Sequence, residues 1–164
     1  MAIRNIREMG EEVLTKRAKE VKEMTPRLRQ LVEDMLETMY SAYGVGLAAP
    51  QVGILKRIVV IDVSEDQDTP YVLINPEIIE KDGEQTGMEG CLSVPGKRGQ
   101  VTRPQHVVVC AQNEDMETFE LEGEDLLARA ICHELDHLDG HLYVELVEGG
   151  LQDVEEPEEE EEAE

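Results

Sequence analysis

The chain has 164 residues, 40% hydrophobic and 32% charged. That is enough for one domain with a hydrophobic core and gives no argument for two. A net charge of −23 argues against nucleic-acid and anionic-membrane partners, which need clustered Lys and Arg. No apolar run approaches the ~20 residues of a membrane span.

From the N-terminus, Met1 to Val21 mixes charged and apolar residues without the hydrophobic core of a secretory signal, so a cytoplasmic location is expected. Thr25-Pro26 predicts a helix start, with Thr25 as N-cap and Pro26 in the first turn. Leu28, Leu31, Val32, Met35, Leu36 and Met39 follow at spacings of three and four and mark one core-facing stripe; Gly44 closes the helix. Arg57–Asp62 and Tyr71–Ile74 are β-branched runs that predict strands, and Asn75-Pro76 reads as a turn. His106–Cys110 and Met116–Leu121 flank a loop at Asn113-Glu114-Asp115 and predict a hairpin. A second helix is expected from about Glu124 to Leu138, ending at Gly140, with Leu126, Leu127, Ala130, Ile131, Leu135 and Leu138 on its buried face. These elements predict an α+β fold: mixed or antiparallel β-sheets around a late metal-binding helix, with another helix in the N-terminal half.

Residues 1–146 are expected to form one catalytic domain, and 147–164 an acidic tail without fixed structure. From Glu145 to Glu164 the chain has eleven acids and no Lys or Arg. Such a run repels itself and favours solubility; docking to a basic partner is the alternative. The cysteines, Cys91, Cys110 and Cys132, are odd in number and far apart. They argue against a disulfide framework and leave Cys91 as a thiol able to bind metal.

The most informative motif is His133-Glu134-Leu135-Asp136-His137, which matches H-E-x-x-H. Residues four apart on a helix share one face, so His133 and His137 can grip one metal ion with Glu134 beside its water. A polar helix face would show the same five residues. The third ligand discriminates between enzyme classes. In H-E-x-x-H-x-x-G-x-x-H the last position here is Tyr143, and His141 comes two residues too early. Glu145, Glu148 and Asp153 lie beyond the break at Gly140, with no clear helix to aim them. The protease pattern fails at its third ligand.

Upstream stand Gly44-Val45-Gly46-Leu47-Ala48-Ala49-Pro50-Gln51 and Glu89-Gly90-Cys91-Leu92-Ser93. With His133–His137 they resemble, in order, the G-x-G-x-A-A-x-Q, E-G-C-L-S and H-E-x-D-H motifs of the peptide deformylases. The resemblance runs from the N-terminal region to about Val144. It implies Cys91, His133 and His137 as ligands of one divalent ion, Fe(II) natively, with zinc, nickel or cobalt able to replace it. It implies Glu134 as general base and acid, and Gln51 with the Leu92 N–H as the oxyanion hole. The substrate would be an N-formyl-methionyl peptide or nascent chain, its backbone pairing beside Gly44, Val45 and Gly46 and near Cys91. The methionine pocket would lie near Val45, lined by Leu126, Arg129 and Ala130, although Leu126 and Ala130 also read as core. Arg98 is a further candidate for substrate contact, and Glu89 and Arg103 are expected to pair near the site. Asp136 is either an orienting carboxylate for a ligand or a local ion-pair partner.

Many bacterial deformylases carry a basic C-terminal helix linked to ribosome binding. The acidic end here departs from that pattern and puts such docking in doubt. A monomer is expected, with no DNA and no membrane partner. A zinc endopeptidase and a non-catalytic metal-binding protein are the competing readings.

Overall fold

In the computed structural model, which describes residues 2–154, the first helix is α1, Pro26–Ser41. Thr25 caps it as expected, its hydroxyl accepting from the Leu28 N–H at 3.2 Å. Leu31, Val32, Met35 and Met39 are buried, while Leu28 and Leu36 pack at the edge of the same cluster. The same face also carries buried Asp34 and Thr38. Asp34 accepts from the Ala2 N–H at 2.8 Å and Thr38 from the Arg4 N–H at 2.9 Å, which ties the N-terminal segment to the helix.

Five antiparallel strands form the larger sheet: β1 (Gly46–Ala48), β2 (Ile58–Ile61), β3 (Tyr71–Asp82), β6 (His106–Gln112) and β7 (Thr118–Glu124), in the order β1-β2-β3-β6-β7. β2 is apolar at every position because both of its faces are covered. Ile58 and Val60 pack toward α1, whereas Val59 and Ile61 join the cluster under the second helix, α2 (Asp125–Leu138). β7 is an edge strand, and exposed Glu120, Glu122 and Glu124 alternate along it, charges that discourage further pairing. The smaller sheet has the order β4-β5-β8, from β4 (Gln85–Cys91), β5 (Val94–Arg103) and β8 (Glu148–Asp153). The α+β architecture with antiparallel sheets agrees with the expectation.

The structure differs from the sequence reading at three places. Asn75-Pro76 is a bulge inside β3, where the register to β6 shifts between Ile74 and Glu77. Pro76 has no N–H for a ladder, and Asn75 takes a left-handed backbone at φ 52°. The Asn75 side chain then stands in for a strand neighbour, accepting from the Val21 N–H at 2.8 Å. It also donates to the Val21 carbonyl at 2.8 Å and to Gln112 Oε1 at 2.7 Å. Second, Leu126 is 49% exposed; it opens α2 on the side away from the sheet. Third, the acidic extension expected from residue 147 begins with a strand, β8, which pairs through Lys97↔Asp153, Arg98↔Gln152 and Gln100↔Glu148. Residues 155–164 of that extension lie outside the described residues.

Replacing Asn75 by Ala removes three side-chain hydrogen bonds and leaves the left-handed backbone to a residue that tolerates it less well than Asn, for an expected loss of roughly 2–4 kcal/mol. Asn75→Gly should lose about 1 kcal/mol less, because only the backbone penalty is relieved. Urea unfolding of the two variants separates the contributions; equal losses would show that the positive φ costs nothing.

Candidate metal centre and active site

α2 brings the H-E-x-x-H residues under the small sheet. Its buried apolar side holds Ala128, Ile131, Leu135 and Leu138 against the five-stranded sheet. His133 and His137, one turn apart, turn toward β4. Gly140 ends the helix at φ 84°, where any β-carbon would lie 2.6 Å from the Thr15 carbonyl oxygen.

β4 delivers Cys91 to the same spot. Its thiol and one ring nitrogen from each of His133 and His137 lie within 4.8 Å of one another, and Cys91 Sγ is 3.4 Å from His137 Nε2. Tetrahedral bonds of about 2.0–2.3 Å put neighbouring donors roughly 3.5 Å apart, so the three can converge on one ion. Burial holds His137 well below the usual imidazole range, which leaves it neutral and able to ligate. Burial alone would do the same to His133, but hydrogen bonds with Cys91 and Glu89 outweigh it and raise the group well above its ordinary value. A thiolate with two imidazoles suits iron, zinc, nickel or cobalt. The residues present fit a single ion with an open fourth position.

Glu89, on β4, organises the surroundings. Oε1 accepts from His133 Nδ1 at 2.6 Å and from Arg103 Nη2 at 2.6 Å, while Oε2 accepts from Arg129 Nη1 at 2.8 Å and Arg103 Nε at 3.2 Å. Burial would raise its carboxyl, yet the bonds from His133 and Arg103 outweigh that and hold it down at about 2. The expected Glu89–Arg103 pair is therefore present. Asp136 does not orient a histidine; it takes Arg103 Nη1 at 2.7 Å.

Gln51 sits in a short 3-10 turn, Ala49–Val52, directly after β1. Its Oε1 accepts from the Ala48 N–H at 2.9 Å, which aims Nε2 at the end of β4, 3.0 Å from Ser93 Oγ and 3.6 Å from Cys91 Sγ. Glu134 is buried, and its Oε1 has no partner among the described residues. Burial pushes its carboxyl up to about 7, with Glu89 adding to the rise and His133 opposing it. A β-carbon on Gly46 would come within 2.5 Å of Glu134 Oε2, so the glycine makes room for the carboxylate.

A cleft of about 430 Å³ opens over these groups. Gly44, Val45, Gly46, Gln51, Cys91, Leu92, Leu126, Arg129, Ala130, His133 and Glu134 all line it, and His137 lies beneath. Arg98 does not line the cleft. It is exposed on β5, in register between Gly90 and Gln152, and neighbouring Lys97 faces the opening instead. A larger cavity, about 990 Å³, lies behind α2 and holds none of the three ligands. Sequence reasoning missed the Glu89–His133 bond, the Ser93 hold on Gln51 and the Tyr143 ring, 5.9 Å from that of His133. The first two residues lie inside E-G-C-L-S; nothing in the local sequence points to Tyr143.

The profile described as polypeptide deformylase matches residues 3–150. The chain belongs to the polypeptide deformylase family. It is a hydrolase that removes the N-formyl group from formylmethionyl peptides, and the family's enzymes are metallohydrolases. The peptide deformylase of Agathobacter rectalis is 70% identical over 154 residues, 94% of this chain and 96% of that protein. A Legionella pneumophila peptide deformylase superposes with a TM-score of 0.87 at 44% identity, covering 90% of this chain and 88% of the other. The corresponding values for a Synechococcus elongatus peptide deformylase, solved in complex with actinonin, are 0.84, 46%, 88% and 78%.

Without metal, burial favours the protonated form of Glu134 at pH values below about 7. A carboxyl raised by folding contributes stability that is present below its unfolded value of about 4.5 and lost as pH rises through about 7. Metal-free Glu134→Gln should therefore gain on metal-free wild type by roughly 2–3 kcal/mol between pH 5 and pH 8. Denaturant unfolding at both values checks this, and a pH-independent difference would refute the raised carboxyl.

Proposed function

We propose that the cleft performs the deformylation with Cys91, His133 and His137 as metal ligands and Glu134 as the proton carrier. A divalent ion at that site supplies Lewis acidity to the formyl carbonyl and acidifies the attacking water. Glu134 accepts the proton as the water oxygen bonds to the formyl carbon. It returns the proton to the amine nitrogen as the C–N bond breaks, leaving formate and a free N-terminus. The Gln51 Nε2–H and the Leu92 N–H donate to the developing oxyanion.

The observation that carries this reading is Glu134 Oε1, buried and without a partner among the described residues, in the cleft that also holds Cys91, His133 and Gln51. An unpaired buried carboxylate is costly in a purely structural role, which weighs against a non-catalytic metal protein. The third donor comes from Cys91, upstream. Glu145 instead accepts from the Leu142 N–H at 3.1 Å, which weighs against the endopeptidase ligand set.

The same reading takes Fe(II) as the native ion, as the family resemblance implies, within a thiolate–imidazole set that also accepts zinc, nickel or cobalt. It seats the methionine side chain near Val45, Leu126 and Ala130, with the peptide backbone along Gly44–Gly46 and the β4–β5 segment. The chain acts as a cytoplasmic monomer on nascent chains. The described residues contain no helix long and apolar enough to cross a membrane. Ribosome docking through a basic C-terminal extension has no support, because residues 145–164 carry no Lys or Arg.

Protein loaded with Fe(II) under anaerobic conditions, or with nickel, should release formate from formyl-Met-Ala-Ser. Glu134→Ala should lower kcat by at least about 10²–10⁴-fold while metal remains bound. Full activity in Glu134→Ala would overturn the assigned base, and cleavage inside an unformylated peptide would favour the endopeptidase.

A further inference from the structure

Arg129 lines the cleft, a position that invites a role in holding substrate. Its geometry points elsewhere. The residue is 7% exposed, and Nη1 is already shared between Glu89 Oε2 at 2.8 Å and the Val101 carbonyl at 3.2 Å. β4 leaves space for the guanidinium at Gly87, where a β-carbon would approach Nη2 to 3.3 Å. The group is seated in the wall, with Nη1 turned toward the protein.

Arg129 and His133 are four residues apart on α2, so their side chains rise from one helix face. Both reach the same Glu89 carboxylate on β4. That carboxylate receives two donors on each oxygen: His133 and Arg103 on Oε1, Arg103 and Arg129 on Oε2. Without Arg129, Oε2 retains only the 3.2 Å bond from Arg103 Nε, and a buried charge loses a partner. The carboxylate can then turn, and the orientation of its bond to His133 Nδ1 turns with it. The cluster is also balanced in charge, with Glu89 and Asp136 against Arg103 and Arg129.

We propose that Arg129 is a positioning residue for the metal centre: it locks the Glu89 carboxylate in the orientation that directs His133 Nε2 at the ion. This rests on His133 being a ligand, as proposed above. An orienting partner of a metal-bound histidine is worth about 10–100-fold in metal affinity, and Arg129 acts one residue further back, through Glu89.

Cobalt(II) reports both affinity and ligand geometry. Wild type, Arg129→Met, Arg129→Lys, Glu89→Gln and the Arg129→Met/Glu89→Gln double variant should be compared by chelator competition, visible spectrum and steady-state kinetics on formyl-Met-Ala-Ser. Arg129→Met should bind Co(II) about 10-fold more weakly, with shifted d–d bands and a lower kcat at unchanged KM. Arg129→Lys, which restores one donor to Oε2, should recover part of the affinity. The double variant should be no worse than Glu89→Gln alone, because the effect passes through Glu89. Wild-type affinity and spectrum in Arg129→Met with a raised KM would overturn the proposal in favour of direct substrate contact. Additive losses in the double variant would overturn it too. A wild-type protein with no thiolate-to-cobalt band would instead remove the Cys91–His133–His137 centre itself, and this proposal with it.

Discussion

The Glu89 carboxylate is the point on which the site depends. It lies on the small sheet, yet its four side-chain hydrogen bonds tie it to groups on α2 or to an arginine that α2 also engages: His133, Arg129 and, through Asp136, Arg103. The proposed ligand set has the same division, with Cys91 on β4 and the two histidines on the helix. The relative placement of β4 and α2 therefore sets the coordination geometry, and a fully paired buried carboxylate fixes that placement more sharply than apolar contact can. The small sheet brings only a modest core of its own, centred on Val94, Val101 and Tyr143.

The rest of the fold holds α2 still. The five-stranded sheet is covered on one face by α1 and on the other by α2, and β2 is buried from both sides. α2 therefore cannot shift without opening the larger core, at about 1.5–3 kcal/mol for each large side chain exposed. Its remaining face is free to be polar. This accounts for a helix that carries Arg129, His133, Glu134 and His137 in buried positions. Arg129 and His133 pair with Glu89, and His137 converges with His133 on the metal position, while Glu134 Oε1 and His137 Nδ1 have no partner among the described residues.

The arrangement also separates this chain from the zinc proteases that share its helix motif. Two histidines four apart on a helix supply half of a tetrahedral site in either case. The difference lies in what the second structural unit offers: here a hairpin strand with a thiol, and beside it Gln51 braced by Ser93 and the Ala48 N–H. In the proposed mechanism this places the Gln51 amide on the side of the cleft where the oxyanion forms.

Periodicity and short motifs determined much of this protein without a structure. α1 and α2, the β6–β7 hairpin, the α+β class and the Cys91–His133–His137 group that could hold a metal follow from apolar spacing and from three motifs whose residues are local in sequence. What they could not determine was anything carried by long-range pairing. Asn75-Pro76 has the composition of a turn, and hydrogen bonds to distant partners, the Val21 backbone 54 residues away and the Gln112 side chain, hold it as a bulge. The acidic stretch after Glu145 looks unstructured by composition, yet its first part pairs with β5, because backbone hydrogen bonds in a ladder do not depend on side-chain charge. Arg129 has a helix-face position that fits a pocket wall or an ion pair equally well. The tertiary structure gives it both, keeping it in the cleft wall and placing Glu89, 40 residues upstream, 2.8 Å from its guanidinium.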